Sequence, residues 1–188
     1  MSSGIKISQK ALDARVKMVY NWEKAKKETI MNERKFSFSP IINASSRTLI
    51  LGSLPGADSL RLGQYYANPR NAFWRLFYAL FDREPDAEYS KRCDFILENN
   101  FALWDICGSA ERGGSADSKI TKILPNDIAA LLTEFPVSKI LLNGRKAESE
   151  FFKNFGNLSV PAVYVPSTSP ALAALTFEEK LKIWKKEI

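Results

Sequence analysis

The residues best equipped for chemistry lie between Gly52 and Trp74. An apolar run, Leu49-Ile50-Leu51, breaks off into Gly52-Ser53-Leu54-Pro55-Gly56. The run reads as a buried strand and the turn as the loop at its carboxyl end, where open α/β sheets bind ligands. Its two glycines would let main chain approach a ligand, and Pro55 stiffens the path between them. Gln64, Tyr65, Tyr66, Asn68 and Asn71 follow. Such a set can stack on a flat heterocycle and pair with its edge, since a carboxamide both donates and accepts. Asn143 closes a later apolar run, and Ser167-Thr168-Ser169 forms a hydroxyl-rich loop able to donate to phosphates. Each feature also has a plainer reading: a strand–helix turn, Asn-Gly turn chemistry, or a turn before the last helix.

What is missing narrows the chemistry. The chain has no histidine, which removes the commonest general base and every nucleophile–histidine pair. Its two cysteines, Cys93 and Cys107, form no C-x-x-C pair and read as free thiols, so neither a zinc site nor an iron–sulfur cluster is expected. Carboxylates, amides, hydroxyls, lysines and main chain remain. No stretch is long and apolar enough to span a bilayer, and no signal-peptide core opens the sequence, so the expectation is a soluble intracellular protein.

The net charge of +6 is unevenly placed. Ten of the 27 Lys/Arg but only four of the 21 Asp/Glu precede Thr48, so the remainder is neutral. A basic arm beside a neutral domain suits a polyanion, although a solvated basic helix has the same composition.

These residues need elements to position them. Leu12, Val16 and Val19 recur at helical spacing, predicting a helix over residues 8–34. Strands are expected at Thr48–Leu51, Phe101–Ile106, Lys139–Asn143 and Ala162–Val165. Helices are expected at Ala72–Phe81, Ala87–Asn99, Pro125–Phe135 and Arg145–Phe155, with a last one opened by a Thr176/Glu179 capping box. Cys107–Lys119, rich in Gly and Ser, reads as a loop. The alternation predicts an α/β fold: a three-layer α/β/α sandwich on a four-stranded parallel sheet, plus an extra amino-terminal helix. Residues 1–35 form the extension and 36–188 the domain.

Several motifs then fall in one order: Gly52-Ser53-x-Pro55-Gly56; Gln64-Tyr65-Tyr66-x-x-Pro69-Arg70-Asn71-Ala72-Phe73-Trp74; Leu103-Trp104-Asp105-Ile106; Gly114-Ser115-x-Asp117-Ser118; Asn143-Gly144-x-Lys146-Ala147; and Pro166-Ser167-Thr168-Ser169-Pro170-Ala171. The series, from Phe36 to Ile188, resembles the hypoxanthine-DNA glycosylase family, a branch of the uracil-DNA glycosylase superfamily. The resemblance implies a monofunctional enzyme without metal or cofactor. It would act as a monomer on DNA holding a deaminated base, chiefly hypoxanthine, with uracil or xanthine as alternatives. It implies Asn71 as the catalytic amide, with Ser53, Leu54 and Gly56 in the turn around the reacting base. Tyr66, Tyr65, Gln64 and Asn143 would hold the base; Arg70, Ser167, Thr168, Ser169 and Leu172 would meet DNA. Three positions depart from the pattern. Leu54 stands where the superfamily often has Asn or Asp, Asn68 where the family has His, and Leu172 where it has Asn.

With Leu54 in the turn, Asn71 is the expected water-positioning group and Asp58 a weaker candidate base. Leu172 reads either as a wedge filling the gap left by a flipped nucleotide or as the start of a helical core stripe with Leu175. A non-catalytic nucleic-acid or nucleotide-binding protein is the competing reading of the whole. If Lys24, Lys26, Lys27, Arg34 and Lys35 meet phosphates, deleting residues 1–35 flattens the dependence of DNA affinity on salt; an unchanged slope assigns the arm no such role.

Overall fold

Strict alternation along β2 (Thr48–Gly52) sends Leu49 and Leu51 to one face of a sheet and Ile50 to the other, all three fully buried. That alternation is what two covered faces require. β3 (Phe101–Asp105), β6 (Lys139–Asn143) and β7 (Ala162–Val165) join β2 in a parallel sheet of order β3-β2-β6-β7. The computed structural model describes residues 34–188 except 114 and 115. The expected helix over 8–34 therefore lies outside the described residues, save that its last residue, Arg34, opens a strand instead, β1 (Arg34–Phe36).

Six α-helices are found among the described residues: α1 (Ala57–Leu62), α2 (Phe73–Ala79), α3 (Tyr89–Glu98), α4 (Ile128–Glu134), α5 (Arg145–Phe155) and α6 (Phe177–Trp184). On one face Ile50, Leu103, Leu141 and Val165 pack against Phe73, Leu76, Phe77, Phe95 and Trp184 of α2, α3 and α6. On the other, Leu49, Leu51, Ile140 and Leu142 pack against Ile128, Leu131 and Phe151 of α4 and α5. The three-layer architecture expected from the sequence is the one observed. α1 was not expected, being one short helix hidden behind the Gly-Ser-Leu-Pro-Gly turn.

The expected loop over Cys107–Lys119 is corrected. Cys107–Arg112 is strand β4 and Asp117–Lys119 a 3₁₀ turn; β5 (Ile120–Pro125) follows, so Pro125 ends a strand rather than opening a helix. β1, β4 and β5 form a second, antiparallel sheet, with β4 in the middle. Its glycine and serine are strand residues for tertiary reasons. A Cβ at Gly108 would lie 2.6 Å from Asn126 Oδ1, and the Ser109 hydroxyl accepts from Arg34 Nη1 at 2.7 Å.

The last helix holds a site loop in place. Thr176 and Glu179 close the capping box, and the Trp184 indole, fully buried, donates to the Pro166 carbonyl at 3.0 Å. Trp184→Phe leaves that carbonyl without its donor, at an expected cost of about 1–3 kcal/mol read from the urea midpoint.

Candidate functional site

The carboxyl ends of the parallel strands open into a cleft of about 110 Å³, lined by Ser53, Tyr66, Asn71, Asp105, Asp117 and Asn143 among others. Its floor is the turn after β2. Arg112 of β4 is buried beneath it and donates to the carbonyls of both Leu54 and Pro55. The carbonyls of Gly52 and Ser53 accept from the main-chain N–H groups of Ile106 and Cys107 at 2.9 and 3.0 Å. Four successive carbonyls are thus committed on the β3–β4 side.

Tyr66 forms a wall. Its φ of 53° puts a bulky residue in the left-handed region, a conformation that persists only when its surroundings fix it. The ring stacks on Phe73, with centroids 3.9 Å apart and planes 16° from parallel. Its hydroxyl accepts from Asn143 Nδ2 at 2.9 Å. Asn143 Nδ2 also donates to Thr168 Oγ1 at 3.1 Å, and its Oδ1 accepts from the Thr168 N–H at 3.0 Å. Asn143 therefore lines the cleft while joining the Tyr66 wall to the 166–170 loop.

Asn71 also lines the cleft. Its Oδ1 accepts from the Phe73 N–H at 3.0 Å, at the start of α2, so the carbonyl end of the amide is engaged and the NH₂ end is the one left for the cleft.

Of the other expected residues, Leu54, Tyr65 and Thr168 line the cleft while also being tied into the protein around it, and two do not reach it. Gln64 does not line the cleft. Tyr65 is a core residue whose hydroxyl donates toward the Phe38 and Ser39 carbonyls, both at 3.2 Å. Thr168, 1 % exposed, spends its hydroxyl on Asn143 and turns away from solvent. Leu54 is buried in the core under the turn. Asp58 is held by Asn68 at 2.9 Å and Arg61 at 3.3 Å and does not line the cleft. Ser167 and Ser169 line both the cleft and an adjoining groove of about 630 Å³. Leu172, half-buried and outside the core clusters, lines that groove, as does Arg145, whose guanidinium lies 3.9 Å from the Tyr164 ring centroid. Arg70 is exposed.

Two carboxylates were missed. Asp105, at the end of β3, is 4 % exposed, and burial pushes it up to about 7. The Ser37 hydroxyl, donating to Oδ2 at 2.8 Å, and the Arg112 charge oppose that shift, while Asp117 adds to it. Asp117 is also raised by burial, against the Ser53 hydroxyl at 3.0 Å and Arg112. Burial in turn lowers Arg112. The stability that Asp105 contributes as a neutral acid is complete below the ordinary carboxylate range and is lost as pH rises to about 7. Leu103-Trp104-Asp105-Ile106 already held the signal, a carboxylate ending a buried strand. Among the described residues, no group of three or more His, Cys, Asp or Glu side chains is arranged to hold a metal ion, and both cysteines are free thiols. No described helix is long and apolar enough to cross a membrane.

Gly52, also on the cleft, has no room for a side chain beside these residues. A Cβ there would lie 2.5 Å from Asp105 Oδ1 and 2.8 Å from the Tyr66 hydroxyl. Gly56, with φ at −70° and nothing within 4 Å of a Cβ, lines the cleft and has no protein neighbour that requires a glycine there. Gly52→Ala overpacks the floor and is expected to cost about 1–3 kcal/mol, seen as a lowered melting temperature; Gly56→Ala is expected to melt near the unmodified protein.

The chain is similar to known proteins across most of this architecture. Residues 39–186 match the model of the uracil DNA glycosylase superfamily. A protein of Methanosarcina acetivorans named hypoxanthine DNA glycosylase is 36% identical over 139 residues, 73% of this chain and 87% of that one. A protein of the same name from Methanosarcina barkeri is 36% identical over 116 residues, 61% and 73% of the two chains. A solution NMR structure from M. acetivorans, described as a candidate uracil DNA glycosylase, superposes with a TM-score of 0.71 at 32% identity, covering 82% of this chain and 98% of that one.

Proposed function

Because the chain belongs to the uracil DNA glycosylase superfamily, we propose that its cleft excises hypoxanthine from deoxyinosine in DNA. It is a DNA glycosylase for deaminated bases, a hydrolase that cleaves the N-glycosidic bond in DNA repair. The observation that supports the choice of base is the name shared by both curated relatives, joined to a cleft walled by a fixed aromatic ring and a free amide donor.

Deamination of adenine replaces an amino donor by a carbonyl acceptor. The lesion pairs poorly with thymine, so flipping it out costs less than the few kcal/mol needed for a sound pair. In the cleft the base stacks on the open side of Tyr66, whose other face is covered by Phe73. Stacking of this kind contributes about 1–3 kcal/mol per base. As C1′–N9 lengthens, positive charge grows on the sugar and negative charge on the base. Asn71 Nδ2 donates to the base at that moment. So do the N–H groups of Ser53, Leu54 and Gly56, in a turn whose carbonyls between Gly52 and Pro55 are bound elsewhere. Asn143 contributes by holding Tyr66 rather than by presenting a free edge.

The neighbouring groove takes the DNA strand. Ser167, Ser169 and Arg70 donate to phosphates, and Leu172 fills the place of the flipped nucleotide, its partial exposure fitting a wedge better than a core residue. The catalytic unit takes in β1 and so runs over residues 34–188, two residues more than expected, and the residues before it are a DNA-binding extension, the whole acting as a monomer.

Single-turnover release of hypoxanthine from an inosine duplex tests the reading, with uracil and xanthine duplexes alongside. Binding without release at any base would favour a non-catalytic DNA-binding protein. Asn71→Ala loses one preorganised donor and is expected to slow release at least tenfold, about two decades being usual for such a group. Losing its turn contact at α2 costs about 1 kcal/mol of stability, so the rate is read on protein shown to be folded. Near-normal release would remove Asn71 from the mechanism.

A further inference from the structure

We propose that the Asp105 carboxylic acid is the general acid of purine release, giving its proton to the imidazole-ring nitrogen N7 of hypoxanthine as the glycosidic bond breaks. The proposal rests on the glycosylase reading above.

The geometry comes first. Asp105 ends β3 on the cleft wall, next to the ring that would hold the base. Asn126 Nδ2 holds its main-chain carbonyl at 2.8 Å, and Ser37 fixes Oδ2. Among the described residues no further group hydrogen-bonds the carboxyl, so Oδ1 is the oxygen left for a ligand. It lies where Gly52 has no side chain, on the same side as the Tyr66 hydroxyl. The Tyr66 hydroxyl oxygen accepts from Asn143 Nδ2.

The surroundings favour a neutral acid. Asp117 faces it from the 3₁₀ turn and disfavours its charge; Arg112 of β4 opposes that. The phenols of Tyr65 and Tyr66, that of Tyr89 on α3, and the Cys107 thiol stand around it, each pushed up by burial and by the Asp105 charge, and so neutral near pH 7. With no histidine in the chain, the imidazole route to a proton donor working near neutrality is closed.

The chemistry selects purines. Hypoxanthine carries a basic nitrogen, N7, that uracil lacks. Protonating it lets the electron pair of C1′–N9 settle on a base that leaves neutral rather than as an anion. Water adds to C1′; the proton it sheds returns the carboxylate to the acid. The net reaction is hydrolysis to an abasic site and free hypoxanthine.

The test is the pH dependence of single-turnover hypoxanthine release between pH 5.5 and 9, after subtraction of spontaneous loss. The unmodified chain should hold its rate below about pH 7 and lose tenfold per unit above it. Asp105→Asn should be about a hundredfold slower at pH 6 and flat across the range, with the two profiles converging at high pH. Ser37→Ala removes a hydrogen bond to the charged form, so its falling limb should move to higher pH; this variant carries the test if Asp105→Asn does not fold. A rate that stays flat or rises through pH 7 overturns the proposal. So does an Asp105→Asn protein with the unmodified profile, or a Ser37→Ala limb unmoved or shifted to lower pH. No release at any pH overturns instead the glycosylase reading on which it rests.

Discussion

Three hydrogen bonds of one carboxamide hold the site together. Asn143, at the end of a fully supported central strand, reaches the Tyr66 hydroxyl on one side and both the N–H and hydroxyl of Thr168 on the other. Two loops distant in sequence are fixed by a residue whose own position the sheet dictates. The Ala72 N–H then donates to the Thr168 carbonyl at 3.0 Å, which brings the start of α2, and with it Asn71, into the same assembly. The cleft is thus an extension of the parallel sheet rather than a gap between mobile loops.

A second constraint is electrostatic. Asp105 and Arg112 are buried together, with Asp117 at the exposed rim beside them. Burial raises Asp105 and lowers Arg112; each of these two feels the charges of the other and of Asp117, and Asp117 feels that of Arg112. Arg112 also binds the carbonyls of the turn after β2, so the cation that balances the two carboxylates shapes the cleft floor as well. Isolated charges in such a place are costly; an arrangement that meets part of the cost by hydrogen bonds to Ser37 and Ser53 is characteristic of working sites rather than of passive cores.

Much of this was legible in the sequence because it is local. The parallel strands announce themselves as apolar runs, and the capping box of α6 is a four-residue pattern that the structure reproduces. The Gly-Ser-Leu-Pro-Gly turn and Tyr66 were picked out by residue type alone. What escaped depends on distant neighbours. β4 carries loop-forming residues in a strand that pairs with β1 from far upstream and has Asn126 close against Gly108. Tyr65 and Tyr66 are the same residue type side by side, and only the distant Phe38, Ser39 and Tyr89, which bond Tyr65, separate the buried one from the one that forms the wall. Asp105 reads as an ordinary strand end until its burial is known. Gly52 is required by two side chains far away in sequence.

The left-handed backbone at Tyr66 bears on turnover. A ring held in an unfavourable conformation by Phe73 and Asn143 has its ordering entropy and strain met once, when the chain folds. On the reading proposed above, a flipped base would meet a platform already assembled, and binding energy would not be consumed in building it. The conformational work of the encounter would fall on the DNA.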